Sequence, residues 1–213
     1  MSRTSGWVAC VALLAAVSIA TVAHAVPTAA NSFVPSHMLL MGRSGDLADT
    51  TSGAFTIVVR DAANVPVAGS VVEVRILNCP GVRLSAQAYD AGSSIRCGTA
   101  GVLKTTNLFG EVRMTLVGGG IAGGPAGAGA CVQVFASGVP IGGASLAYLD
   151  LDGSGGMGAH DISLWLADVG SGEDIIGRGD YDGSGTLGAN DLSLWLTYWG
   201  AAGSVESPAS YCP

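Results

Sequence analysis

Apolar and polar residues alternate in short runs along the first two thirds of the chain. A period of two is typical of β-strands that bury one face, and residues that favour turns separate these runs. The pattern predicts strands at His37–Met41, Phe55–Arg60, Val71–Leu77, Val102–Thr106, Glu111–Leu116, Cys131–Phe135 and Ala144–Leu149. Several short strands joined by turns indicate a β-sandwich.

The connections between these strands differ in length and composition. Residues 26–35 are predicted as a linker, and the stretch from Cys79 to Cys97 as a long irregular excursion. The stretch from Gly118 to Gly129 is dominated by Gly and Ala. It lacks the Gly-Lys-Ser/Thr ending of a phosphate-binding loop and no helical pattern follows, so a flexible loop is expected there.

Near the C-terminus the hydrophobic period changes to that of helices. Apolar residues spaced i, i+3, i+4, i+7 mark one face of an α-helix. They are Ile162, Trp165, Leu166 and Val169 in one segment and Leu192, Trp195, Leu196 and Trp199 in another. We expect the two stripes to pack against each other, with Trp199 the aromatic residue best placed to face a partner. Leu164 and Leu194 lie off the stripes and are expected to cover the first domain or join a docking face.

Each helical segment follows a loop, and the two loop–helix segments are near-copies. One runs from Asp150 to Gly170 and the other from Asp180 to Gly200, and they agree at 13 of 21 positions. A repeat at fixed spacing is a stronger guide to architecture than local propensity.

The repeated loops carry oxygen atoms at the spacing of a calcium-binding loop. Such loops place ligands at positions 1, 3, 5, 7, 9 and 12 and a Gly at position 6. The first loop supplies Asp150, Asp152, Ser154, the carbonyl of Gly156 and Asp161; the second supplies Asp180, Asp182, Ser184, the carbonyl of Thr186 and Asp191. The sequence therefore predicts two bound Ca²⁺ ions. The alternative is a pair of metal-free turns rich in Gly and Asp.

Both loops depart from the general pattern in the same three places. Position 12 is Asp, which reaches less far than Glu, and position 5 is Ser, a neutral ligand. Position 9 is Gly in each loop, Gly158 and Gly188, so we expect a water molecule to fill that place.

The duplicated pattern D-x-D-G-S-G followed by D-[IL]-S-L-W-L resembles the type I dockerin domain over about residues 148–200. The resemblance implies a calcium-folded module, residues 149–200, that docks onto a cohesin-like or other extracellular protein in assemblies linked to polysaccharide breakdown. It also implies partner-selecting residues at positions 10 and 11, which are Ala159, His160, Ala189 and Asn190. Dockerins commonly carry Ser-Thr there, a departure that favours a purely structural role.

Turn chemistry in the preceding part resembles bacterial Ig-like domains. The run Asp61-x-x-x-x-Pro66-Val67-x-Gly69 separates two predicted strands, and Thr106-x-x-x-Gly110-Glu111 forms a predicted hairpin. The resemblance covers residues 36–148 and implies an Ig-like β-sandwich of the kind found in secreted and surface proteins. The expected fold class is therefore mainly β with a small α module, ending in a tail at residues 201–213.

The first 25 residues have the composition of a signal peptide. A basic start at Arg3 precedes an apolar run from Trp7 to Ala23 and an Ala-x-Ala exit ending at Ala25. We expect cleavage after Ala25, export to an extracellular or cell-surface location, and no membrane span in the mature chain.

Charge is distributed unevenly between the two parts of the chain. Residues 26–149 contain six acidic and seven basic residues, whereas residues 150–213 contain ten acidic residues and one basic residue, Arg178. A chain without a basic patch is not expected to bind nucleic acid. Without metal, the clustered carboxylates repel one another, so folding of the acidic part should depend on metal.

Four cysteines remain after the expected cleavage: Cys79, Cys97, Cys131 and Cys212. An even number in an exported chain suggests two disulfides, with three possible connectivities. We favour Cys79–Cys97 for its short loop, which leaves Cys131–Cys212 to attach the tail to the first domain.

No constellation of catalytic residues stands out, so we expect a secreted binding protein without enzymatic activity. The His, Cys and Ser residues match none of the common hydrolase motifs. Two other functions stay open: a structural or adhesion protein whose calcium loops only stabilise the fold, and a small carbohydrate-binding or hydrolytic domain at residues 36–148.

Overall fold

The computed structural model describes residues 25–44, 47–48, 50–77, 79–121, 130–171, 176–200, 206 and 208–213. In these ranges the chain is mainly β with a small helical part, which confirms the expected class. Residues 1–24 of the expected signal peptide lie outside the described ranges.

The strands are β1 His37–Met41, β2 Arg43–Ser44, β3 Leu47–Ala48, β4 Ala54–Val58, β5 Val71–Ile76, β6 Val82–Leu84, β7 Ser94–Arg96, β8 Gly101–Thr105, β9 Glu111–Gly120, β10 Ala130–Ala136 and β11 Val139–Tyr148. The helices are α1 Ala159–Ser171, α2 Ile176–Gly179 and α3 Ala189–Gly200, with a 3-10 turn at Cys97–Thr99.

Nine strands join into one mixed sheet, in the order β4-β9-β1-β11-β10-β5-β8-β7, with β6 added alongside β9. β1 lies parallel to both β11 and β9, and the other pairings are antiparallel. β2 and β3 form a separate two-stranded hairpin. The last strand, β11, leads directly into the first acidic loop.

The predicted Gly/Ala loop begins later than expected, because β9 continues through Gly118, Gly119 and Gly120. These glycines lie where side chains would collide with neighbouring chain segments. A Cβ on Gly118 would overlap the carbonyl oxygen of Arg83, and one on Gly119 would lie 2.6 Å from Asp150 Oδ2. Glycine therefore serves close packing here. Residues 122–129 of that predicted loop lie outside the described ranges.

Two other connections also differ from the expectation. The excursion between Cys79 and Cys97 contains the short strands β6 and β7, which pair with β9 and β8. Residues 26–35, predicted as a linker, run along the end of β4. There the backbones of Phe33 and Val58 exchange two hydrogen bonds of 2.8 and 3.0 Å, and the Thr28 N–H donates to the Arg60 carbonyl at 2.9 Å.

The larger of two hydrophobic clusters among the described residues runs through the sheet and the helical part. It includes Leu40 and Leu116 from the sheet together with Trp165, Tyr181 and Trp195 from the acidic part. Because both parts share this core, the loop–helix pair is packed onto the end of the sheet. The division at residues 148 and 149 stays a prediction.

The predicted helix stripes are wrong in half of their members. Trp165 and Trp195 are buried and Ile162 and Leu192 are partly buried, whereas Leu166, Val169, Leu196 and Trp199 are exposed. The buried face instead consists of Asp161, Trp165 and Asp168 in α1 and of Asp191, Trp195 and Tyr198 in α3. Leu164 and Leu194 are partly buried and pack against the core. This agrees with the first of the two expectations, that they cover the first domain.

Two disulfides form, as expected, but the favoured pairing is wrong for both of them. Cys79 bonds to Cys131 and Cys97 bonds to Cys212. The favoured pairing fails because β5 and β10 are neighbours in the sheet, which brings Cys79 and Cys131 together at their ends. The tail is attached to the β part as expected, through Cys97.

Candidate metal centres

The two acidic loops are held between regular elements. The first follows β11 and ends in the first turn of α1, and the second follows α2 and ends in the first turn of α3. Gly155 and Gly185 at loop position 6 have φ of 103° and 81°, which confirms the need for glycine. The repeated sequence therefore produces the same local geometry twice.

In the first loop, three carboxylates converge on one point. Asp150, Asp152 and Asp161 each offer an oxygen, and these oxygens lie within 4.8 Å of one another. Backbone N–H groups fix the carboxylates: Gly155 donates to Asp150 Oδ2 at 3.2 Å, and Asp152 and Gly158 donate to the two oxygens of Asp161 at 3.0 and 2.6 Å.

The second loop repeats this arrangement with Asp180, Asp182 and Asp191, whose oxygens also lie within 4.8 Å of one another. The N–H groups of Ser184 and Gly185 donate to the two oxygens of Asp180 at 3.0 and 2.9 Å. Asp191 accepts from Tyr181, Asp182 and Gly188 in the manner of Asp161.

The neutral ligands of the prediction also border these centres. In each loop the Ser N–H at position 5 caps the carboxylate at position 3, Asp152 at 2.7 Å and Asp182 at 2.9 Å. The Ser184 hydroxyl contacts Thr186 Oγ1 at 3.1 Å. Gly156 pairs through its backbone with Glu206 of the tail.

The pKa values of the acidic residues show the electrostatic cost of each cluster. Burial, together with the charges of Asp161 and Asp152, raises the pKa of Asp150 from 3.8 to about 6. Burial raises the pKa of Asp161 and Asp180 as well. Burial acts in the same direction on Asp152, but hydrogen bonds from Ser154 and His160 outweigh it and lower its pKa to about 2.

One buried atom tests directly whether a cation fits the first centre. Asp150 Oδ1 is buried, and no hydrogen-bond donor among the described residues reaches it. A buried carboxylate oxygen without a donor is costly unless a cation compensates it. A set of carboxylate, hydroxyl and carbonyl oxygens with one flexible Gly turn suits Ca²⁺ better than a softer transition metal. The residues present therefore fit calcium.

The surroundings of the first loop come largely from the β part. The Arg83 side chain donates to the carbonyls of Gly153 and Gly120 at 3.3 Å each. The Gly120 N–H donates to the Asp150 carbonyl at 2.7 Å. The first loop is thus fixed by β6 and β9, which sequence analysis did not connect with the site.

The start of the second loop is fixed by α1 and by β1. Trp165 Nε1 donates to the Gly179 carbonyl at 3.0 Å, and Arg178 forms a two-pronged ion pair with Asp168 at 2.6 Å for each hydrogen bond. The His37 side chain of β1 lies against Gly183, where a Cβ would be 2.8 Å from the His37 Cβ. The charge of Arg178, the one base of the acidic part, was the only sequence signal for this contact.

The predicted partner-binding residues occupy exposed positions at the starts of α1 and α3. Ala159, His160, Ala189 and Asn190 are all exposed. His160 Nδ1 lies 2.8 Å from Asp152 Oδ2, and the side chain of Asn190 hydrogen-bonds Asp182 and helps to lower its pKa. Position 11 therefore orients the carboxylate at position 3 in both loops, a role that comparison of the two repeats could have suggested.

The exposed apolar residues of α1 and α3 occupy matching positions of the repeat. Leu166 and Leu196 are 54% and 57% exposed, and Val169 and Trp199 are 44% and 40% exposed. We call these four residues the helix surface. The Trp199 ring lies 4.7 Å from the Trp195 ring, which fixes its position.

Comparison with protein-family models, with curated proteins and with solved structures finds no match for this chain. In the described part of the chain, every helix is too short or too polar to cross a membrane. The site must therefore be interpreted from its own geometry.

Proposed function

We propose that the chain is a secreted, non-catalytic protein whose dockerin-like loop–helix pair binds two Ca²⁺ ions and docks another extracellular protein. The observation that carries the calcium proposal is the convergence of three carboxylates in each loop, with Asp150 Oδ1 buried and reached by no donor in the described part of the chain. Asp150, Asp152, Ser154, Gly156 and Asp161 would hold one ion. Asp180, Asp182, Ser184, Thr186 and Asp191 would hold the other. Bound calcium would neutralise the clustered charges and so stabilise both loops.

Calcium titration of the metal-free chain from residue 26 onward tests this part. We expect two bound ions by calorimetry and one in the Asp161→Ala and Asp191→Ala variants. Asp161→Ala removes a carboxylate from the first loop only, and Asp191→Ala removes the corresponding carboxylate from the second loop only. A wild-type chain that binds no calcium would overturn the proposal.

The helix surface supports the docking part of the proposal. Two exposed apolar side chains recur at matching positions of each helix, and exposed apolar side chains that gather into a patch mark interaction sites. Calcium-dependent binding to a cohesin-type domain would be measured for the wild type and for Leu166→Ser/Leu196→Ser. The variant should keep its calcium and lose the partner. If the wild type and the variant bind the cohesin-type domain equally well, the helix surface is not the docking site.

The arrangement of strands supports an Ig-like sandwich for the β part. β1 runs parallel to β11, β4 pairs antiparallel with β9, and β5 joins β10 in the main sheet. Buried residues of β4 and β9 belong to the same cluster as those of β5 and β10. This is expected where two layers face each other. We propose this fold as the carrier of the calcium module.

A second function is favoured by the shared core. Because Trp165, Tyr181 and Trp195 pack into the same cluster as the sheet, the loop–helix pair could serve as a calcium-stabilised cap. Calcium would then raise the melting temperature of the whole chain in one transition, and the helix surface variant would bind the same proteins as the wild type. Loss of a partner in that variant would favour docking.

A further inference from the structure

The C-terminal residues form a strap across the β part. We use this name for Glu206 and residues 208–213. Glu206 and Arg43 exchange two backbone hydrogen bonds of 2.9 and 3.1 Å, and the Ala86 N–H donates to the Ser210 carbonyl at 2.9 Å. The Cys212 N–H donates to the Leu84 carbonyl at 2.8 Å. The strap therefore adds backbone pairs to β2 and to β6.

The same strap contacts the first metal loop. Glu206 pairs with Arg43 on one side and with Gly156 on the other, so it lies between the hairpin and the loop. Gly156 is position 7 of the first loop, where the backbone carbonyl is the expected calcium ligand. The backbone at this ligand position thus lies beside a residue far away in the sequence.

A second contact leads from the strap to the same loop through Arg83. The guanidinium of Arg83 lies 4.2 Å from the centre of the Tyr211 ring, and it donates to the Gly153 carbonyl in the loop. The strap contains Cys212, which the disulfide to Cys97 fixes to the 3-10 turn. In the second loop, by contrast, the equivalent residue Thr186 is exposed and contacts its own neighbour Ser184.

We propose that the strap, locked by the Cys97–Cys212 disulfide, is a positioning element that raises the calcium affinity of the first site and not of the second. This inference rests on the proposed calcium binding. The physical reason is preorganisation. Ordering a residue costs conformational entropy, and a loop already held in shape meets this cost at folding rather than at ion binding. The affinity of the first site would therefore depend on the redox state of one disulfide.

Single-site proteins make the test specific. Asp182→Ala disables the second site and keeps the first, and Asp152→Ala disables the first site and keeps the second. In each background, calcium affinity is measured by calorimetry with the disulfide intact and with the Cys97→Ser/Cys212→Ser pair of substitutions. We expect the first site to weaken about tenfold, which corresponds to about 1.4 kcal/mol. The second site should change less than about twofold, or about 0.4 kcal/mol.

The other disulfide supplies the matched control. Cys79→Ser/Cys131→Ser removes the bond between the ends of β5 and β10, and it should affect both sites alike. If loss of the strap disulfide weakens both sites equally, or leaves the first unchanged, the inference is overturned. If both single-site proteins fail to bind calcium with their disulfides intact, it is the proposed function that fails.

A second variant decides the matter if the disulfide variant does not fold. Glu206→Pro keeps both disulfides but has no N–H to donate to the Arg43 carbonyl. It should weaken the first site in the same direction as the disulfide variant. Glu206→Ala keeps that N–H and loses only an exposed ion pair of 3.0 Å to Arg43, so it should bind calcium as the wild type does. Equal affinities of the Pro and Ala variants for calcium at the first site would contradict the role of the strap.

Discussion

The first and second acidic loops share most of their sequence but differ in what surrounds them. Asp150 lies under the glycine end of β9, and no donor among the described residues reaches its Oδ1, whereas both oxygens of Asp180 accept from backbone N–H groups. Asp152 is partly buried and Asp182 is exposed. The difference shows that a repeat fixes the local shape of a site, whereas residues outside the repeat decide its burial and its electrostatics.

The largest expected effect concerns the ion pair between Asp168 of α1 and Arg178 of α2. Arg178→Met would leave the Asp168 carboxylate, only 4% exposed, as a buried charge without its partner. Breaking such a pair costs about 3–5 kcal/mol. Denaturant unfolding in saturating calcium would measure it. Arg178 holds the start of the second loop. We therefore expect this loop to lose calcium at a lower denaturant concentration than the first loop.

The double variant Asp168→Leu/Arg178→Met provides the control for that experiment. It removes both charges and leaves apolar side chains of similar size, so its loss of unfolding free energy should be much smaller than in the single variant. A single variant as stable as the wild type would mean that α1 does not hold the start of the second loop.

The next effect concerns Gly119 of β9, which lies against Asp150 of the first loop. In Gly119→Ala the new Cβ would lie 2.6 Å from Asp150 Oδ2. Overpacking of this kind costs about 1–3 kcal/mol, and the shift of Asp150 should abolish calcium binding at the first site. Gly188→Ala is the control, since its Cβ would be 4.0 Å from Asp191 Oδ2. Calorimetry should find one bound ion in the first variant and two in the control.

A smaller effect is expected from pH in the absence of metal. Because the pKa of Asp150 is raised to about 6, the folded chain binds more protons than the unfolded chain between about pH 4 and 6. Stability from this group is therefore highest at low pH and falls as the pH rises through 6. A rise of this size in a carboxyl pKa corresponds to about 3 kcal/mol of unfolding free energy, and solvent screening at the loop reduces this to about 1 kcal/mol.

The partly buried His37 acts in the opposite sense, since burial lowers its pKa and its contribution to stability grows with pH. The Asp150→Asn variant separates the two groups. In chelator, unfolding free energies of wild type and variant should converge near pH 4 and diverge towards pH 7, with the wild type less stable. Parallel pH profiles of the two proteins would show that the Asp150 charge is already compensated.

The sequence alone was sufficient for features that depend on short-range spacing. Alternation located the main strands, and the repeat placed Asp150, Asp161 and their counterparts in converging loops. It failed where partners come from distant segments. Nothing in the spacing of Cys79 and Cys97 reveals that β5 and β10 are neighbours. Gly118, which looks like part of a flexible loop, is required by the closeness of Arg83.

The helices show the same limit. A periodic apolar stripe predicts which residues share a face, but not whether that face meets the core. In α1 the core side carries Asp161, whose carboxylate belongs to the acidic cluster of the first loop, and Asp168, which forms an ion pair with Arg178. Because these polar residues lie on the core side of the helix, Leu166 and Val169 point to solvent. Site chemistry overrode the hydrophobic pattern.

The smallest expected effect is the change in stability when either of the two exposed leucines is replaced. Leu166 and Leu196 are 54% and 57% exposed, and substitutions at such positions usually change stability by less than about 0.5 kcal/mol. Leu166→Ser and Leu196→Ser should therefore unfold in denaturant as the wild type does, alone and together. The outcome that would contradict this is a loss above about 1.5 kcal/mol in either variant. The side chain would then contribute to the core, and its exposure could no longer be used to argue for a docking surface.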